Sequence, residues 1–298
     1  MKASARVLSG VSSTVHATAA KGFNAEAAAL YNTGRPTYST EAMDRVIEIL
    51  YSRFPDREKS TIVELGAGTG KFTSAFLDYT KTPAVTSQYS AIEHMHYVAT
   101  EPSDGFRASL EHSLKGKHAN ATVGSALGSK MPFEAKSVDG IIVAQAFHWM
   151  ATLDTLKEAY RVLSPYSPLV MIWNTYDYSY DWLRQIDEQV LSKAYTPDVP
   201  RQQTGQWEDC FKTNVGGTLF SMVHKWQGNY KQVGNEDMIV GRVMSTSVIV
   251  EKSPEEKAHI ESIVRKIIAT HPELEKARQS KRFEISYITE LAWVNRNV

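Results

Sequence analysis

Residues 62–73, Ile-Val-Glu-Leu-Gly-Ala-Gly-Thr-Gly-Lys-Phe-Thr, join an apolar run to three glycines spaced G-x-G-x-G and then to a helix-forming stretch. Ile62, Val63 and Leu65 suit a strand buried inside a parallel sheet. Gly66, Gly68 and Gly70 allow a sharp turn whose backbone can approach a ligand where any Cβ would collide. The spacing argues against two common alternatives. It is not the G-x-G-x-x-G of dinucleotide binders, and Lys71 lacks the four-residue spacing and the Gly-Lys-Ser/Thr ending of a phosphate loop. Glu64 at the strand end would repel a pyrophosphate and attract an amino group, so the turn predicts a zwitterionic nucleoside as its ligand.

Further segments follow in a fixed order. Tyr97-Val-Ala-Thr-Glu-Pro reads as a second strand ending in an acid, Glu101, whose carboxylate offers two acceptors for a diol. Ser137-Val-Asp-Gly and the apolar Ile141-Ile-Val-Ala lead into Gln145-Ala-Phe-His-Trp149, the end of a fourth strand. Tyr160-Arg-Val-Leu-Ser-Pro and Leu169-Val-Met-Ile-Trp-Asn174 read as a helix end and a fifth strand, without the glycines that usually join such elements, so that turn is expected to differ. Together these segments resemble the class I S-adenosylmethionine-dependent methyltransferases. Phe23, Tyr31 and Arg35-Pro-x-Tyr38 resemble the N-terminal cap of the type 11 small-molecule branch that includes trans-aconitate methyltransferases. The likeness extends over roughly residues 20 to 175.

The resemblance implies an α/β fold: a doubly wound, mostly parallel seven-stranded sheet with helices on both faces. An N-terminal lead-in and cap (residues 1–40), a cofactor-binding core (41–175) and a C-terminal part (176–298) that completes the sheet and covers the acceptor would form one structural domain. The implied cofactor is S-adenosyl-L-methionine, leaving as S-adenosyl-L-homocysteine. Phe23, Tyr31 and Arg35 of the cap would touch it, with Glu64, Gly66, Ala67, Gly68 and Gly70 of the glycine turn. Glu101 would hold the ribose beside Pro102, Ser125 and Ala126 would lie near the adenine, and Gln145, Ala146 and Trp149 would line the methionine side. His148, which titrates near neutrality, is the candidate base or acceptor-positioning group. Tyr38, Trp149, Trp173, Arg201 and Arg242 are expected on the acceptor, the arginines as a carboxylate clasp. Oxygen of a carboxyl or hydroxyl is the preferred methyl acceptor. A protein that binds the cofactor without methylating is the alternative; NAD-dependent oxidoreduction fails on the glycine spacing and Glu64.

Composition narrows the partners. Thirty-three basic residues balance thirty-three acidic ones, so nothing pulls the chain generally toward nucleic acid. No apolar stretch reaches membrane-spanning length, no metal is expected, and a monomer or homodimer acting on a small molecule is. Cys210, the single cysteine, reads as a buried small hydrophobe. The acid-free first 25 residues suggest a flexible lead-in in a cytoplasmic protein, with a mitochondrial presequence as the alternative.

Local signals complete the reading. Glu64 and Glu101 are 37 residues apart (101 less 64), where a βαβ unit places the ribose acid about 20 on. Residues 81–96 are therefore an insertion, read as a surface elaboration. Helices are expected over 41–54, capped by Ser39 or Thr40, over 72–79 and over 153–163, and another behind the Ser253-Pro-Glu-Glu256 capping box. Strands are expected over 219–226 and 283–293, antiparallel at the sheet edge, with a helix and turn over 235–250 at the active-site mouth. The aromatics Tyr176, Tyr178, Tyr180, Trp182, Trp207 and Trp226 are either core or an acceptor pocket.

Overall fold

A computed structural model describes residues 34–54 and 57–298; Phe23 and Tyr31 lie outside the described residues. The strands are β1 (Ser60–Leu65), β2 (Met95–Thr100), β3 (Ala121–Gly124), β4 (Gly140–Ala144), β5 (Pro168–Tyr176), β6 (His224–Gly234) and β7 (Phe283–Asn295). They form one sheet in the order β3-β2-β1-β4-β5-β7-β6. The first five run parallel, β7 is antiparallel to β5, and β6 is antiparallel to β7. The winding reverses between β1 and β4, and ligands of such sheets bind outside the carboxyl ends of the strands at this reversal.

Helices cover both faces because the central strands are apolar on both sides. On one face Ile62, Tyr97, Ala99 and Ile142 meet α1 (Thr40–Tyr51), α2 (Lys71–Thr80) and α3 (Asp104–Leu114). On the other, Val63, Leu65, Ile141 and Val143 meet α4 (Leu153–Val162) and residues 207–220. Ser39 caps α1, its side chain accepting from Ala42 N–H. The turn without glycines before β5 is made by Tyr166, which takes the left-handed backbone (φ 64°) while its ring stays in solvent. The 81–96 insertion holds a short helix and a 3-10 turn, and packs Val85, Ala91 and Ile92 on the core away from the winding reversal.

The C-terminal part adds a third apolar cluster. There α5 (Glu236–Met244) and α6 (Pro254–Thr270) pack against Tyr176, Trp182 and Ile285, with the Ser253/Glu256 capping box opening α6. One expected strand is displaced: residues 214–219 are helical, and the strand runs over His224–Gly234. Thr213 caps that short helix, and the backbone at Gly216 passes so close to the Cys210 carbonyl that a Cβ would lie 2.1 Å from its oxygen. The true strand is masked in sequence by the polar side chains, Lys225 and Lys231 among them, that keep an edge soluble. Cys210 is buried, and burial pushes its thiol up to about 12. Among the described residues no helix is long and apolar enough to cross a membrane.

Candidate active site

A cavity of about 210 Å³ opens at the winding reversal, over the carboxyl ends of β1, β2, β4 and β5. Its first half follows from the glycine turn. Gly66, at φ +67°, begins the turn where an added Cβ would press on Ala146 at 3.1 Å. Ala67 N–H donates to the Thr100 carbonyl at 2.9 Å, tying the turn to β2. Glu101, 4% exposed, lines the cavity. Its two oxygens accept the N–H groups of Gly68 and Ser103, each at 2.9 Å. Burial raises its pKa, against the pull of these two donors and of Arg107. A carboxylate has about four lone-pair positions, so both oxygens keep capacity for a ligand's hydroxyls. Pro102, Ala126, Ala146 and Trp149 also line this half.

At the end of β4, Gln145 lines the cavity in a left-handed conformation (φ 60°), a sparsely populated state that costs on the order of 1 kcal/mol. His148 follows on a single helical turn, Phe147–Met150. Its Nδ1 accepts from the Trp173 indole N–H at 3.3 Å. A neutral ring accepting at Nδ1 carries its proton on Nε2, so it is a donor there. Desolvation of this partly buried ring, reinforced by the Arg35 charge, lowers its pKa to about 3.

The second half is assembled from distant segments. Arg35 donates to Ser245 Oγ at 3.1 Å and to the Ser245 carbonyl at 2.9 Å, pinning the cap to the end of α5. Asn174 Nδ2 donates to the Thr37 carbonyl at 2.8 Å, pinning it to β5. Arg242 is 9% exposed, its guanidinium 5.2 Å above the Tyr176 ring. Arg201 stacks on Tyr195 at 4.3 Å and stands 3.6 Å from Asp187, and its buried Nε has no hydrogen-bond partner. All three arginines line the cavity, with Thr246 and Ser247 from the turn after α5.

Several expected contacts are corrected. Glu64 does not line the cavity. Strand alternation turns it to the opposite side from Leu65, where it is fully buried and accepts from Thr73 Oγ1 at 2.6 Å and Tyr97 OH at 2.8 Å. Burial raises its pKa to about 7. Gly70 faces α3, where a Cβ would meet Leu110 and Ser113 at 2.7 Å, and the N–H of Ala67 is turned to β2. Neither Ala67, Gly70 nor Ser125 lines the cavity. Tyr38 is a core residue packed edge-on against Phe72 at 5.1 Å. Of the C-terminal aromatics, Tyr176, Trp182 and Trp207 are buried in the apolar clusters, and none of the six lines this cavity. Sequence reasoning missed Leu127, Gly128 and Ser129, whose signal is a run of small residues after β3, and Phe106, Met150, Asn174, Asp187, Tyr195 and Gln202.

A profile of the methyltransferase domain family matches residues 63–171. An uncharacterized methyltransferase of Schizosaccharomyces pombe is 30% identical over 252 residues, covering 84% of this chain and 88% of its own. One from Mycobacterium tuberculosis is 27% identical over 263 residues, covering 87% and 89%. The chain belongs to the class I S-adenosylmethionine-dependent methyltransferases. Solved structures agree on the fold of this methyltransferase: the YcgJ protein of Bacillus subtilis superposes with a TM-score of 0.51 at 13% identity, covering 87% of this chain and all of its own. A protein from Anaeromyxobacter dehalogenans superposes at 0.55 with 14% identity, covering 88% and 97%.

Proposed function

We propose that this methyltransferase acts on a small anionic molecule and methylates the oxygen of a carboxylate. The residues present fit S-adenosylmethionine. Glu101 would accept from its ribose, Ala126, Leu127 and Gly128 would border its adenine, and Gln145 and Trp149 its methionine side. When bound, that cofactor supplies an electrophilic methyl group on a sulfonium. The protein's part is to hold the acceptor in line and exclude water.

The observation that carries the choice of acceptor is the hydrogen bond into His148: Nδ1 is engaged by the Trp173 indole N–H, so a neutral ring has its proton on Nε2 and offers no free nitrogen to deprotonate a phenol, alcohol or ammonium. Desolvation, which lowers its pKa, acts in the same direction. A carboxylate needs no such base. His148 Nε2–H can instead donate to one oxygen of an acceptor carboxylate and orient it. Arg201 and Arg242 supply the charge-assisted donors that such an acceptor requires.

The test uses a chemical property of the product. Methyl esters release volatile methanol in mild alkali, whereas methyl ethers and N-methyl groups do not. The enzyme incubated with methyl-labelled cofactor and a small-molecule extract is expected to give alkali-labile, volatile label. Label that stays non-volatile would contradict carboxyl methylation. Cofactor binding without label in any product would favour a non-methylating role.

A further inference from the structure

A second cavity adjoins the first. Its volume is about 430 Å³, and it shares Trp173, Thr175, Gln202 and Gln203 with the first. It lies over the outer strands, where Glu290 stands opposite Trp173 in the β5–β7 register and opposite Gln227 in the β6–β7 register. Side chains paired in this way project to the same side of the sheet. Trp207 also lines it, its ring 5.0 Å from that of Trp173.

The chemistry of this cavity is the inverse of its neighbour's. Glu290 is partly buried, and desolvation raises its pKa against the pull of Gln202 and of the more distant Lys225 charge. No lysine or arginine approaches it within 4.0 Å among the described residues. Its hydrogen-bond partner is the neutral Gln202 amide. Lys225, on the same wall, engages Glu208 and lies 5.7 Å from the Trp207 ring. Gln202 is 8% exposed, and its Oε1 is buried without a hydrogen-bond partner. The wall therefore offers a carboxylate beside two indole rings whose faces attract cations, with the unpaired Gln202 Oε1 buried behind it. The adjacent residue, Arg201, lines the first cavity and has a buried Nε without a hydrogen-bond partner. Orphaned groups of opposite character stand on neighbouring residues.

We propose that the second cavity is a distal subsite of the acceptor site and takes an ammonium group, held by the Glu290 carboxylate beside Trp173 and Trp207. The acceptor is then an amino acid in the broad sense, its carboxylate at the arginines and its amine beyond Gln202. This rests on the carboxylate reading above.

Two measurements test it. In the first, methyl ester formation is compared for a length series of ω-amino carboxylates, each matched by the unsubstituted acid and by the α,ω-dicarboxylate. A member of the amino series is expected to exceed its matched acid by about tenfold in kcat/KM, with Glu290→Gln removing that preference. A series without any preference, or a preference that survives Glu290→Gln, overturns the subsite. In the second, n-butylammonium is titrated while tryptophan fluorescence is followed. Saturable quenching that is lost in Glu290→Gln but kept in Glu284→Gln, a control glutamate exposed near the start of β7 and paired with Lys231, supports the subsite even if no carboxylate is methylated. Quenching absent, or equal in both variants, overturns it. The carboxylate reading fails separately, when no acid in the series yields an ester.

Discussion

Glu101 and Arg201 line the same cavity, yet they are held by different kinds of structure. Glu101 sits at the end of a central strand and is fixed by two backbone N–H groups, from Gly68 and Ser103, on segments adjoining the paired strands β1 and β2. Arg201 lies in an irregular stretch before a 3-10 turn, stacked on Tyr195 and near Asp187. The first arrangement follows from the sheet's own geometry and leaves little freedom in where a ligand goes. The second depends on side chains meeting from β5, the 187–205 segment and α5. On the proposed function the first frames the cofactor and the second faces the acceptor, an arrangement in which loop-borne side chains, not the sheet, would set acceptor choice.

Substitutions on each side should separate the two regions, and the largest effect should touch neither ligand. Glu64 has a folded pKa of about 7 against an ordinary 4.5, so the native state holds this proton more tightly than the unfolded chain does. Its contribution to stability is complete below about pH 4.5 and is lost as pH rises through about 7, by on the order of 3 kcal/mol. Glu64→Gln should flatten that slope in denaturant titrations run at several pH values. An unchanged slope would mean that Glu64 is not the linked group.

Glu101→Ala should weaken binding of S-adenosylhomocysteine by about 1.5 to 3 kcal/mol in calorimetry. The acceptor KM should move far less, since the arginine wall belongs to other segments. Equal losses for both ligands would erase the distinction between the halves. Arg201→Met should do the reverse on a smaller scale, raising the KM of a carboxylate acceptor by about tenfold with cofactor affinity unchanged. A loss of cofactor affinity in that variant would place Arg201 on the wrong side.

The same division governs what could be read from sequence. The strand, glycine turn and terminal acid lie close together along the chain, so Gly66, Gly68 and Glu101 were legible as cavity residues. Glu64 was misplaced because a linear motif says nothing about which side of the strand a residue faces; alternation put it under α2 rather than in the cavity. Gly70 looked equivalent to its neighbours, but its freedom serves the contact with α3. Arg201 and Arg242 were found by charge, whereas Asp187, Gln202 and Thr246 carry no local signal, since their place depends on how remote segments fold back. The edge strand was shifted because half of its side chains face water, which dilutes the apolar run expected of a strand.

The pH dependence of single-turnover methyl transfer to a carboxylate acceptor, with the cofactor saturating, shows whether the reaction needs a base. With His148 neutral and the acceptor already ionised, the rate should stay level from about pH 6 to 8.5. A rate rising about tenfold per pH unit across that interval would show that a proton must leave before the methyl group moves, and would contradict the account.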